Sequence, residues 1–268
     1  ACQPSPPLQV APTGADLGPM GKGGRGLGLG GSRRMPDVLG QLEHALGEPW
    51  SVDVLSAVDP QQRLADIAEH GVSLERTVLK HTVGDLTVPE NLAKMEPGNY
   101  DRVFLVASDW PVTGDAADAR TISTYIALTG LLEGNAAPPH MLVELAYEGN
   151  VELVDAGRTE VVVSPRVLSR LLARVVLRPQ LSLVIDEVFG QGSTQLRFAG
   201  VRSERSRPFG ELAAELRSRR IVVLGLRRGG LGGELLLAPN PELLVDCTGK
   251  DALIVLEDGD VRGTVGAA

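Results

Sequence analysis

The sequence predicts an α/β protein: a doubly wound, mostly parallel sheet, then a helical hairpin, then a small α+β lobe. Three observations carry this. Residues 103–107, 141–143 and 161–163 are short unbroken apolar runs, as expected of strands covered on both faces. Helical patterns separate them, and parallel strands need such crossovers. After Gly190 the texture changes to short strands joined by Gly and Pro turns around one amphipathic helix.

Taken in order, residues 1–24 are rich in Pro, Gly and small side chains without periodicity, and read as a disordered tail or linker. Residues 26–32 give a short first strand and a glycine turn. The next helix has Pro36 in its first turn, Val38, Leu39, Leu42, Ala45 and Leu46 on one face, and Gly47 at its end. Residues 50–58 are the second strand. Asp59 and Pro60 cap a helix through Ala68 that Gly71 closes, with His70 where a cation suits the dipole. Residues 77–85 are the third strand, and Thr87 and Glu90 have capping-box spacing for the helix after it. The fourth strand lies within 101–109 and its helix within 113–132. The fifth strand (141–146), a short helix (151–154) and the sixth strand (160–163) complete six β/α units over 25–163. Ser164 and Pro165 then cap a helix, Pro179 breaks it, and 181–189 form a second helix, so 164–190 reads as a hairpin. The lobe, 191–268, holds strands at 193–198, 221–226, 234–237 and 251–256 and a helix at 209–218.

Composition narrows the function. The 268 residues carry a formal charge of −8 with Lys and Arg scattered, so no basic stripe marks a nucleic-acid partner. Arg33–Arg34 and residues 217–220 read as solvated helix ends. Cys2 and Cys247 suggest neither a disulfide framework nor a zinc site, and His44, His70, His81 and His140 lack metal-ligand spacing. No apolar stretch approaches the roughly 18 residues of a membrane span, and no segment reads as a signal peptide.

Open sheets of this kind bind ligands beyond the carboxyl ends of their strands. Gly28, Gly30 and Ser32 in the glycine turn, and Asp85 and Asp109 at two strand ends, are the resulting ligand-binding candidates. A G-x-G-x-x-G turn holds a pyrophosphate on backbone amides and a helix N-terminus. Counted from Gly28, Arg33 stands at the third position; counted from Gly26, Gly28 and Gly31 complete the pattern but the helix starts several residues later, and the second strand ends Ser56-Ala57-Val58 without the ribose-binding acid. A turn kept for packing is an equal reading. Asp109, Asp115 and Asp118 offer oxygen ligands suited to Ca²⁺ or Mg²⁺, against the plainer reading that Asp115 and Asp118 cap a helix. Glu144 interrupts an apolar strand, so it must be paired or face the ligand crevice, and Arg120 is a candidate partner. If a nucleotide binds, Asp85→Ala and Asp109→Ala are expected to weaken it. No G-x-S-x-G, Cys–His pair or P-loop lysine is present, so no catalytic residue is assigned.

The segments GVSLERTVLKHTVGDLT (71–87), YDRVFLVASD (100–109), DAADARTISTYIALTGL (115–131), MLVELAYEGNVELV (141–154) and VVSPRVLSRLLARVVLRPQLSLVIDEVF (162–189) carry a resemblance to one family. With the closing LLLAPNPELLVDCTGKDALIVLEDGD (235–260), they resemble the C-terminal regulator-of-K⁺-conductance (RCK) domain of the CASTOR/POLLUX ion channels, over roughly 34–260. The chain departs from that family at its first strand, where it has only GLGLGG.

The resemblance implies a Rossmann-like domain in a ligand-sensing gating ring, at the cytoplasmic face of a membrane, below a cation-channel pore. That pore would lie upstream of Ala1 or on a separate chain. It implies regulation in place of catalysis, with a nucleotide or Ca²⁺ as candidate ligand. The alternatives are an NAD(P)-dependent Rossmann-fold oxidoreductase and a stand-alone soluble subunit docking on a membrane transporter. The 164–190 hairpin is apolar around much of its circumference and predicts a homo-oligomer held through Leu171, Val175, Leu181 and Ile185.

Overall fold

The structure, a computed structural model, describes residues 9–11, 24–45, 49–107, 115–155, 159–190, 194–203, 205–230 and 233–258. It divides into two compact units, one within 21–181 and one made of the described parts of 1–20 and 182–268.

The chain's first described element is β1 (Gln9–Ala11), which belongs to the second unit. The first unit starts with β2 (Arg25–Leu29), α1 (Met35–Ala45), β3 (Ser51–Ser56), α2 (Pro60–Glu69) and β4 (Val78–Val83). It continues with α3 (Pro89–Lys94), β5 (Arg102–Leu105), α4 (Asp115–Leu131), β6 (His140–Leu145), β7 (Thr159–Val163) and α5 (Ser164–Leu177). Six strands form one sheet in the order β4-β3-β2-β5-β6-β7, and every pairing is parallel. The predicted doubly wound sheet is therefore present, with its topological switch between β2 and β5.

Alternation along the strands builds both faces. Leu27, Leu29, Val103, Leu105, Val143 and Leu145 pack with Leu92 of α3 and with Tyr125 and Leu128 of α4. Val52 and Val54 face the other way, onto Met35 and Leu39 of α1 and Ile67 of α2, with Phe104 and Val106 against them. The glycine-rich β2 works as a central strand because its glycines make room: a Cβ on Gly28 would stand 2.9 Å from the Phe104 ring.

Several local expectations change. Asp59 does cap α2, accepting from the Gln61 and Gln62 amides. The Thr87–Glu90 capping box does not form. Pro89 sits in the first turn, Val88 is the N-cap without a side-chain bond, and Thr87 instead donates its hydroxyl to Asp85. Ser164 is likewise no cap of α5, because its hydroxyl donates to Glu144.

The second unit adds α6 (Leu181–Phe189), β8 (Thr194–Arg202), β9 (Arg207–Pro208), α7 (Phe209–Ser218), β10 (Ile221–Arg227), β11 (Leu235–Leu237), β12 (Leu244–Val245) and β13 (Ala252–Asp258). Its antiparallel sheet runs β1-β8-β13-β10-β11, while β9 pairs with β12. Leu212 and Leu216 of α7 pack on Ala199, Val201, Leu226, Leu253 and Val255. Two boundaries differ from the sequence reading. Residues 9–11 lie in the predicted tail yet add an edge strand to β8, since a three-residue strand needs only an existing ladder to join. The division also falls within the predicted hairpin: α5 groups with the parallel unit, and α6 from Ser182 onward with the lobe. Gln180, at φ 72, lies just before that break.

Candidate functional site

The carboxyl ends of the central strands enclose a cavity of about 570 Å³ at the switch point. Leu29, Leu105 and Val106 form its floor at β2 and β5, Ala57 and Val58 its wall after β3, and Gly84 and Leu86 its wall after β4. Clefts that bind small molecules have volumes of about 300–1,000 Å³ and mostly apolar walls. Polar groups reach this one from α2 (Asp59, Gln62) and α4 (Arg120, Thr121, Thr124). The α4 threonines are turned inward on their own helix, Thr121 to the Ala117 carbonyl and Thr124 to that of Arg120. Asp59 Oδ1 accepts from the first amides of α2 at 2.8 and 3.4 Å.

Among the described residues Arg120 is the cavity's one basic lining residue, and its Nη2 donates to Asp85 Oδ1 at 2.9 Å. Asp85 is also held by Thr87, whose amide and hydroxyl donate to the same oxygen at 2.9 and 2.8 Å. The Thr87 bonds, more than Arg120, hold the Asp85 carboxyl below the usual range.

A buried network supports the glycine turn from α2 and β3. Arg63 is 1 % exposed and donates to the Ser32 carbonyl and to Ser56 Oγ, each at 3.2 Å. His81 Nε2 lies 3.1 Å from the same hydroxyl. Burial first, then Arg63, holds the His81 imidazole below its ordinary value, with Asp59 acting the other way. An unfolded histidine titrates near pH 6.5, at about its reference value. The unfolded chain thus binds this proton before the folded one does. Stability is complete above that pH and falls as pH drops toward the folded pKa. Urea unfolding at a series of pH values across this window should show the loss, and His81→Asn should flatten it.

Not all of the sequence candidates converge here. Gly31 lines the cavity, whereas Gly28 is kept small by Phe104. Gly30 has φ +136 and its Cα faces the Val106 carbonyl so closely that no Cβ fits. Gly30→Ala is expected to destabilise the protein by about 2 kcal/mol or more, from backbone strain and steric conflict together, read as a lowered urea midpoint. Ser32 is buried and its hydroxyl accepts from the Arg34 amide at 3.1 Å, so it braces the turn. Asp85 reaches the site through Arg120. Glu144 pairs with Arg34 and not with Arg120: it accepts from Arg34 and Ser164 and, at 3.0 Å, from the Ala107 amide. The buried carboxylate thereby ties β6 to β5 and to the starts of α1 and α5.

Asp109 lies outside the described residues, as does the Asp115 side chain. Asp118 is fully buried, and its oxygens accept from the Ala146 and Tyr147 amides and from Asn150 at 2.7, 3.0 and 2.7 Å. That carboxylate organises the loop after β6, and among the described residues no three His, Cys, Asp or Glu side chains cluster to hold a metal ion. The ribose-binding position after β3 holds Ala57 and Val58. Asp53, the acid within that strand, is buried and accepts the Tyr100 hydroxyl at 2.5 Å. Sequence reasoning missed Arg120 and Gln62 as lining residues, and Arg63 as the brace. Only the shared helix face of Arg63 and Ile67, four residues apart, hinted at burial.

A doubly wound parallel sheet with a cavity at its switch point, followed by apolar helices and a small antiparallel lobe, is a fold shared with a solved gating ring. Over 88 % of its length the chain matches the human SLO3 gating ring with a TM-score of 0.62 at 10 % identity, covering 45 % of that structure. In sequence it is similar to the probable ion channel CASTOR of Oryza sativa subsp. japonica, 25 % identical, and to the ion channel CASTOR of Lotus japonicus, 23 % identical, each over 87 % of this chain. The resemblance to the CASTOR/POLLUX channels read from the residues is borne out. The chain spans 26 % and 27 % of those two relatives. No family model matches it. No described helix is long and apolar enough to cross a membrane.

Proposed function

We propose that this chain is a ligand-sensing regulatory domain of a cation channel of the CASTOR type, placed at the cytosolic face of the membrane in a gating ring. The observation that carries the reading is likeness to two ion channels over 87 % of the chain. The pore lies either in the same protein or on a separate chain. The domain acts by binding and not by catalysis: a ligand shifts the ring only by as much as it prefers one state.

Assembly runs through α5 and α6. Neither helix has a buried residue, and Leu168, Leu172, Val176, Leu177, Leu183 and Phe189 are exposed. Apolar helix faces of this kind, one in each unit, suit contact with a second domain. The test is cation flux in vesicles carrying the natural protein with its pore, compared with the same protein lacking residues 25–258. The reading requires conduction to persist while its regulation changes. Unchanged regulation, together with substrate-dependent oxidation of NAD(P)H by the purified chain, would favour the oxidoreductase alternative.

A further inference from the structure

The geometry points to the switch-point cavity as a site for a compact organic anion, whose oxyanion head takes Arg120 from Asp85 while its apolar body fills the space between the segments that follow β3 and β4. This rests on the regulatory reading above and names the ligand chemistry for it.

The Asp85–Arg120 pair stands at the cavity. All three donors on Asp85 crowd one oxygen, Oδ1: the Thr87 amide, the Thr87 hydroxyl and Arg120 Nη2. Arg120 therefore makes a single bond to a shared atom, although a guanidinium binds best as a fork against two oxygens. A free carboxylate or phosphate offers that second oxygen. Asp85 loses little by the exchange, because Thr87 keeps both its bonds to it. The pair is also accessible, with Arg120 40 % and Asp85 46 % exposed at the side chain, and exposed pairs of this kind are weak.

The rest of the lining sets the body of the ligand. Ala57, Val58, Leu86, Leu105 and Val106 are apolar, and the two α4 threonines spend their hydroxyls on their own helix. Asp59, the one lining carboxylate among the described residues, is turned to the α2 amides. The strand end itself is followed by Ala57 and Val58, and the carboxylate beyond them, Asp59, is engaged by the α2 amides, so this wall favours an apolar body over a sugar. Exchange at Arg120 would also release Asp85, with Thr87 still bonded to it, from α4; both residues lie between β4 and α3. Occupancy is thus coupled to the segment that starts α3, a differential contact of the sort a regulatory ligand needs.

The sign of the Asp85 effect separates this from the sequence expectation. If Asp85 contacts the ligand, its loss weakens binding; if Asp85 competes for Arg120, its loss strengthens it. The experiment is calorimetric titration of the purified chain with 3-methylbutanoate and with inorganic phosphate at constant ionic strength, with AMP, CaCl₂ and NaCl as comparison arms. 3-Methylbutanoate should bind, and NaCl should not compete. Phosphate binding at equal strength would assign recognition to the head alone, and weaker phosphate binding would assign part of it to the apolar wall; both support the oxyanion site. Asp85→Asn should tighten binding about three- to fivefold, the scale of an exposed ion pair. Arg120→Gln should weaken it about tenfold or more, and Arg120→Lys by less, since the charge stays while the fork is lost.

No binding of either oxyanion to wild type and to Asp85→Asn would overturn the proposal. So would an Arg120→Gln variant that is folded by circular dichroism and binds unchanged, or AMP or Ca²⁺ binding that ignores Arg120 while the oxyanions fail. The readout needs no pore, so its failure leaves the channel reading to stand on the flux experiment.

Discussion

Replacing Leu172 and Val176 with aspartate is expected to dissociate the assembled protein into folded monomers. Both side chains lie on the row 168–172–176 of α5, where Leu168 and Leu172 are 57 % and Val176 is 80 % exposed in the single chain. Covering one such side chain at an interface contributes about 1.5–3 kcal/mol, and an aspartate in its place must be desolvated without a partner. Two substitutions in each of two chains should weaken association by a hundredfold or more, as about 3 kcal/mol already corresponds to that factor. The row also makes the test clean. Leu171 and Val175, the positions favoured by sequence, are half-buried within the chain itself, so changing them perturbs folding and association together. Light scattering over a concentration series reads the outcome, with circular dichroism as the control for folding. A wild-type protein that stays monomeric at every concentration would remove this interface.

The difference between those two rows shows what sequence can carry. Apolar periodicity marked α5 as a helix with too much apolar surface for one neighbour. It did not say which row its own chain covers, because that depends on the position of the last parallel strand. The parallel sheet itself was legible for a simple reason: 103–107, 141–143 and 161–163 are apolar on both faces, and only a sheet with helices on both sides accommodates that. The strand β1 was not legible. Three residues have no period, and the edge of β8 that they join is contributed by residues some 190 positions later in sequence.

The site was legible by location and not by partner. Strand ends at Asp85 and beside Gly31 follow from the topology rule. The ion pairs do not, because side chains from distant elements choose among several acids. Glu144 took Arg34, across the sheet from Arg120, and Arg120 took Asp85. The capping predictions failed for a related reason. Thr87 and Ser164 are good caps by local rule, but a carboxylate in reach gives a hydroxyl a stronger, charge-assisted acceptor.

Asp118 gives the second large effect, and it separates a structural carboxylate from a metal ligand. Its side chain is sealed within the first unit, 0 % exposed, and satisfies two backbone amides and the Asn150 side chain in the loop after β6. Asp118→Ala strands all three donors, and each buried donor left without an acceptor costs about 1–3 kcal/mol. The loop can recover part of that by opening to water, so a net loss of about 3–5 kcal/mol is expected, a large share of a typical domain's stability. Asp118→Asn should be nearly as severe, because an amide offers one oxygen and turns an NH₂ toward groups that are themselves donors. Urea unfolding of the three proteins, each with and without CaCl₂, reads both quantities. The structural role requires that both variants be destabilised in the absence of Ca²⁺, and that Ca²⁺ leave all three midpoints where they are. A metal ligand gives the opposite pattern: variants as stable as wild type without Ca²⁺, and a wild-type midpoint that rises on adding it, by mass action, while theirs do not.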